Sequence, residues 1–452
     1  MNQTMANISR RTFLKTTAAG VATFAIGQPG FAANSKLQHA CIGVGGMGWN
    51  DLGNFKAHPK LEIVALCDVD ANHLAKAATL FPQARQYRDW RELFHAEGVR
   101  IDSVNVAVPD HMHAPITMTA LHGRKHVFCQ KPLCHDVAEC RAVARAAKAA
   151  GVVTQLGTQY ASSIPHRMVL EYLQNKAVGD VQRIIFTANR PGIESYRLAG
   201  PRPAQGNPVP SHLDWNLWLG TAPERLYANT IYHPGIWRCW QDFGTGWSGD
   251  IGCHLFNTMW RALKLKAPLS VVANVQESWQ NSPARRADNW PQQQHITWVF
   301  PGNDMTGGKE LTIEWFDGML FPSDEIKQLE EANGYQGEAM LVFGTEGQLY
   351  LPLDGGPRLL PVEKFKDYPR PKTEPRNHYH HYLDACLGGP MTTMNFEVAG
   401  PMTEAILLGT VAVRNPGTLL KWNPTWMSIP NAPQAERYLR RRYRKGWQVH
   451  GL

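Results

Sequence analysis

From Leu37 to Leu156 the chain alternates short apolar runs with longer stretches of helical period. Gln38 to Gly43, Leu61 to Cys67, Ser103 to Val108, His126 to Cys129 and Val152 to Leu156 read as strands. Ala71 to Leu80, Ala114 to Leu121 and Asp136 to Ala150 carry apolar residues at helical spacing. Strands apolar on both faces, separated by helices, predict a parallel sheet covered on both sides. After Gly157 the pattern changes. A helix over His166 to Asn175 precedes a strand at Val181 to Ala188, and Pro201 to Pro210 reads as irregular surface chain. Ser270 to Val275, His295 to Phe300, Glu310 to Phe316, Met340 to Phe343 and Gln348 to Leu351 then follow as strands with few helices between them. That succession predicts a largely antiparallel sheet in an α+β second domain. A loop over Asp354 to Pro375 carries five prolines, and helices are expected over His378 to Leu387 and Met402 to Arg414.

Ahead of this pattern lies Ser9-Arg10-Arg11-Thr12-Phe13-Leu14-Lys15, then the weakly apolar Thr16 to Ile26 and the small residues Gly30-Phe31-Ala32-Ala33. The charged, apolar, small-residue order is that of a secretory signal, and the arginine pair points to the twin-arginine exporter, which carries folded proteins. The apolar run is too short and too polar to span a bilayer, which takes ~20 residues. Residues 1–33 are expected to be a signal peptide, 36–157 and 158–452 two domains. The expected location is periplasmic or secreted, without stable membrane insertion.

The net charge of +8 does not imply nucleic acid. The signal holds three of these charges and the tail Glu436 to Lys445 a net five, so the remainder is neutral. A single basic patch reads as a solvated face or subunit contact. Eight cysteines are too sparse for a disulfide framework and read as buried thiols. His111 with His113, and His378 with His380 and His381, lack further ligands at zinc spacing, so no metal is expected.

Gly43-Val44-Gly45-Gly46-Met47-Gly48 fits G-x-G-x-x-G directly after the first strand. The first glycine permits the turn, the second lets the backbone approach a pyrophosphate, and the third lets helix and strand pack closely. Asp68 closes the second strand, where a carboxylate accepts from ribose hydroxyls and repels a 2′-phosphate. NAD is the expected cofactor.

Asn105-Val106-Ala107-Val108-Pro109-Asp110-His111-Met112-His113-Ala114-Pro115, Gln130-Lys131-Pro132 and Gly249-Asp250-Ile251-Gly252-Cys253-His254 resemble three motifs of one family. These are the fourth-strand, E-K-P and D-x-G-x-H motifs of the glucose–fructose oxidoreductase / inositol dehydrogenase / MocA (Gfo/Idh/MocA) family. Leu213 to Gly220 and Tyr438 to Trp447 resemble its exported bacterial branch. The resemblance implies an N-terminal Rossmann domain and a C-terminal α+β domain with an open sheet often used to form homo-oligomers. It places Pro109, Gln130 and Lys131 beside the cofactor, with His111 and His113 shaping the pocket floor. Gln130 and Asn257 depart from acids of the family. Gln130 removes a negative neighbour from Lys131, which would ease deprotonation.

Oxidising a sugar alcohol needs a base for the hydroxyl proton and a positive group near the developing oxyanion. Lys131 and His254 supply these types. Asp250, four residues before His254, shares its helical face and would orient the imidazole; alternatively it caps a helix over Ile251 to Leu263. Trp237 and Arg238 suit sugar rings and hydroxyls. Export makes cofactor supply a constraint, since no free NAD pool is expected outside the inner membrane. The expected enzyme therefore keeps its cofactor and resets it internally. It acts either as a sugar, glycoside or cyclitol oxidoreductase or as an NAD-dependent glycosidase resembling glycoside hydrolase family 109. A non-catalytic exported sugar-binding protein is the remaining alternative.

Overall fold

Strands with no polar face need cover on both sides, and the computed structural model provides it. It describes residues 36–190 and 200–452; the signal-like segment lies outside the described residues. β1 (Leu37–Ile42), β2 (Leu61–Cys67), β3 (Arg85–Tyr87), β4 (Ser103–Val106), β5 (His126–Cys129) and β6 (Thr154–Leu156) form one parallel sheet in the order β3-β2-β1-β4-β5-β6. Helices α1 (Met47–Lys56), α2 (Ala71–Leu80), α3 (Trp90–Glu97), α4 (His113–His122) and α5 (Val137–Ala150) link its strands. The strand order reverses beside β1, which opens a crevice at the carboxyl ends of β1 and β4. β3 and α3 escape the periodicity reading because Arg85–Tyr87 is a short polar edge. They are held by buried Glu97, which accepts from Tyr87 Oη at 2.5 Å and pairs with Arg85.

The second sheet contains β7 (Val181–Ala188), β8 (Ser270–Val275), β9 (Gln294–Phe300), β10 (Leu311–Asp317), β11 (Glu338–Gly344), β12 (Gln348–Pro352), β13 (Arg358–Leu360) and β14 (Leu420–Lys421). Its order is β13-β12-β11-β7-β10-β9-β8-β14. Only the central β7–β10 pair is parallel, with Ile184 opposite Ile313 and Phe186 opposite Trp315. One face packs on α8 (Gly246–Ala262) and α11 (Phe396–Val413), with α6, α9 and α10 denoting Ile164–Gln174, Asp324–Ala332 and His378–Cys386. Phe256 of α8 sits between Phe186 and Trp298, ring centroids 5.0 Å from each. A Cβ at Gly409 would fall 2.5 Å from the Trp298 ring, so α11 approaches the sheet as only glycine allows. On the opposite face Ile326 and Leu329 of α9 pack against Ile185, Leu341 and Tyr350. The expected open sheet is therefore partly covered.

Two helices start earlier than their sequence signals suggest. Pro401 lies inside α11, which begins at Phe396 and is capped by Asn395, whose side chain accepts from Val398 N at 3.2 Å. Proline removes one i→i−4 bond, but the turn is held by packing of Gly400 on Ala144 of α5. By length and composition α11 could cross a membrane, yet 83% of that window is buried in the protein. α8 begins at Gly246, not Ile251, so Asp250 lies in its second turn and does not cap it. The task of fixing that end falls to Asp110, which accepts from Thr245 N at 3.0 Å and Oγ1 at 2.9 Å.

All eight cysteines are buried and unbridged. The basic tail is not merely a solvated face. Arg441 donates to Glu139 at 2.8 Å and to Thr221 Oγ1 at 2.8 Å, and Tyr443 Oη donates to Glu139 at 2.6 Å. Burial and the neighbouring Glu139 push the Asp136 carboxyl up to about 7, and the guanidinium is what makes this acidic pair tolerable.

Candidate active site in the covered crevice

The loop after β1 follows from its glycines. At Gly43, with φ 82°, a Cβ would lie 2.3 Å from Ala107 O. Gly48 packs α1 against the same turn, 2.1 Å from Gly43 O to a built Cβ. Gly46 has φ 51° and open space before it, and no side chain caps α1. The first-turn N–H groups thus face a crevice as a ready anion site. Asp68 accepts from Val44 N and Asp70 N, both at 2.9 Å. Its carboxylate holds the loop's shape from the adenosine side, and burial raises its pKa. Gly45, Met47, Pro109, His113, Gln130 and Lys131 also line the crevice. A pyrophosphate fits this cradle, as NAD requires.

His113 spans the floor, Nδ1 2.5 Å from Pro132 O and Nε2 2.8 Å from Val108 O. Burial opposes its charge, but Cys129 and these carbonyls raise its pKa overall. His111 does not reach the crevice. It is buried behind it, Nε2 3.2 Å from Trp218 O, with its ring against Phe243. Two histidines two residues apart face opposite ways, which the H-x-H spacing could not show.

The opposite wall is a covering segment that includes α7 (Trp215–Leu219) and runs to Arg238. It is fastened to the connection between β2 and α2 by Ala71 N to His212 O at 2.8 Å and Asp214 N to Val69 O at 3.0 Å. Arg88 Nη2 donates to Val69 O and His212 O at 2.7 and 2.9 Å. The tail fixes its far side: Arg444 donates to Gly220 O at 3.0 Å and Asn216 O at 2.9 Å.

At the other end of the crevice Lys131, leaving β5, forms an ion pair with Asp250 of α8. Arg238 Nε lies 3.3 Å from Asp250 Oδ2, and its guanidinium stacks 4.2 Å from the Trp237 ring. Lys131, Trp237 and Arg238 line the crevice, with Asp250 holding two of them. Burial pushes the Asp250 carboxyl up, but the two cations outweigh it and hold it below the usual range. His254, one turn on, is driven well below its ordinary pKa by burial and then by the Lys131 charge. It is neutral, its Nδ1 makes no hydrogen bond within the protein, and its ring meets Tyr160 edge-on at 4.9 Å. Asn257, a further turn along, is buried with neither amide atom hydrogen-bonded. Burial, then the Asp250 charge, lifts Asp110 to about 7.

Gln130 acquires a reason. Its Nε2 donates to both oxygens of Asp51 of α1, at 2.9 and 3.0 Å. Asp51 also accepts from Tyr379 Oη at 2.9 Å and Asn105 Nδ2 at 3.2 Å, and burial raises its pKa to about 6. The acid absent at position 130 is present at position 51. The expected relief of Lys131 from negative neighbours does not occur, because Asp250 supplies one. Asp51, Asp110 and Tyr160 are the residues that sequence reading missed. The available signal for Asp51 was a lone acid on the apolar Leu52–Phe55 face of α1.

Two family models match the chain and together span half of it. One is an oxidoreductase family, NAD-binding Rossmann fold, over residues 37–158, and the other that family's C-terminal alpha/beta domain over residues 192–295. A D-apiose dehydrogenase of Paraburkholderia graminis is 30% identical over 32% of this chain and 38% of its own length. A glycosyl hydrolase family 109 protein of Stenotrophomonas maltophilia is 30% identical over 27% of this chain and 29% of its own. The chain spans less than half the length of the curated relatives it matches. In fold, it resembles the aldose–aldose oxidoreductase of Caulobacter crescentus with TM-score 0.57 and 17% identity, over 85% of this chain and 99% of that one.

Proposed function

The chain belongs to the Gfo/Idh/MocA family of NAD-dependent oxidoreductases, and from that premise we propose an exported enzyme that oxidises a sugar, glycoside or cyclitol hydroxyl with a retained cofactor. The observation that carries this reading is the Lys131–Asp250–Arg238 ion cluster at the end of the crevice away from the glycine loop, with neutral His254 beside it. Bound NAD supplies the two-electron acceptor. His254 is uncharged at neutral pH and so can take the hydroxyl proton. Lys131, fixed by Asp250, places positive charge where the oxyanion develops. Trp237 and Arg238 offer an aromatic face and a donor fork to a ring bearing hydroxyls.

Retention is supported by the covering segment, which is fastened to the β2–α2 loop and Arg88 and, a few residues on, to the C-terminal tail. A cofactor enclosed this way suits folded export through the twin-arginine route. The test mixes dialysed protein with substrate in large excess and counts product per active site without added NAD. Continued turnover on two sugars is expected; product stopping at about one equivalent per site would show an ordinary dissociating dehydrogenase. Arg10→Lys with Arg11→Lys should strand precursor in the cytoplasm, and normal periplasmic yield would remove the export claim.

The match to a family 109 glycosyl hydrolase favours a second reading, in which the same base and retained cofactor serve transient oxidation, elimination and re-addition at a glycoside. Release of phenol from an aryl glycoside without net absorbance at 340 nm would select it. A protein that binds sugar with neither signal would be the non-catalytic alternative.

A further inference from the structure

Where the covering segment meets the first sheet, four side chains from distant parts of the chain converge. Asp70 caps α2 through Oδ1, which accepts from Asn72 N at 2.8 Å. Its Oδ2 is turned the other way, 2.9 Å from His233 Nε2 and 3.9 Å from His212 Nε2. His73 lies one turn into α2, its ring centroid 5.5 Å from that of His233. One donor atom from each of Asp70, His73 and His233 lies within 4.8 Å of the others. Asp70 is buried, 4% exposed. Asp68 Oδ2 stands 3.8 Å from His73 Nδ1, placed to orient that ring as carboxylates do around metal-bound histidines.

We propose that Asp70, His73 and His233 bind a zinc ion, with His212 or water completing the shell. Two imidazoles and a carboxylate are a zinc donor set. Bonds of ~2.0–2.1 Å put tetrahedral ligand atoms roughly 3.4 Å apart, so the wider spacings of the cluster must close and the Asp70–His233 contact must open slightly. The sequence gives no hint of it, because Asp70-x-x-His73 and His233 are separated by more than a third of the chain. The site joins α2, which packs on the cofactor-binding sheet, to the cover; His73 and His233 line the crevice together with Asp68. Resting on the retained-cofactor reading, its role is to staple the cover shut over the adenosine end. Zinc is structural here: no substrate hydroxyl needs to reach it.

Untagged protein stripped with dipicolinate and dialysed is the material for the test. Titration with zinc should saturate at one ion per chain, and cobalt should give the visible bands of a low-coordinate site. Both should vanish in His73→Gln with His233→Gln. The melting temperature should rise with zinc in the parent and not in the variant, whose metal-free melt and circular dichroism should match the stripped parent. No stoichiometric binding, or binding unchanged in the double variant, overturns the site. For the staple, NAD should leave preloaded protein about tenfold faster once zinc is removed; an unchanged rate overturns that role. Zinc bound one to one in protein that never holds NAD would support the site and count against the retained-cofactor reading alone.

Discussion

Restoring the family acid at position 130 should damage this protein, by an amount set by proton cost. In the structure the Gln130 amide donates two hydrogen bonds to Asp51. Asp51 is wholly buried, raised to about 6 by desolvation and held from rising further by Gln130, Tyr379 and Asn105. Gln130→Glu replaces donors with a second carboxylate at hydrogen-bond distance. Both cannot ionise there, so the pair keeps one proton. A group with an unfolded value near ~4.3 that stays protonated at pH 7 costs ~1.4 kcal/mol per unit, or ~3–4 kcal/mol. The shared O–H···O bond returns ~1 kcal/mol. For an acid raised in the folded state, stability is fully present below the unfolded value and is lost as pH rises through the folded one. The penalty should therefore fall to ~1 kcal/mol or less near pH 5. Melting of parent and variant at pH 5 and pH 7.5 reads this directly. An equal drop at both pH values, or no drop at pH 7.5, would refute the shared-proton argument.

Lys131→Met and His254→Asn should each lower turnover by ~10² or more while NAD still copurifies; wild-type turnover, or loss of NAD alone, contradicts the assigned roles. Asp68→Ala should narrow the NAD-over-NADP preference and also weaken NAD, since Val44 N and Asp70 N lose their acceptor; titration of both cofactors checks it. Arg441→Met leaves Asp136 and Glu139 buried without their cation. It should cost ~3–5 kcal/mol and speed NAD release, measured by denaturant midpoint and by dialysis.

The alternating pattern determines the two sheets of this protein, because mostly apolar strands and amphipathic helices have few ways to bury their faces. The glycine loop and Asp68 are local too: a strand, a turn and a helix end make a phosphate cradle within thirty residues. Helix starts were decided by tertiary contacts. Asp110 anchors α8 ahead of its Gly-Asp signal, and packing on α5 carries α11 through Pro401. The chemistry of the site is likewise tertiary. Lys131 and Asp250 are 119 residues apart and Asp51 and Gln130 are 79, so no spacing rule links them. Whether a charge is held, shared or suppressed depends on what surrounds it once buried, and only the fold assembles those surroundings. The cover over the crevice and the tail that fastens it are decided in the same way. What holds them is contact with distant parts of the chain and not local period: the β2–α2 loop for the cover, and α5 and the cover itself for the tail.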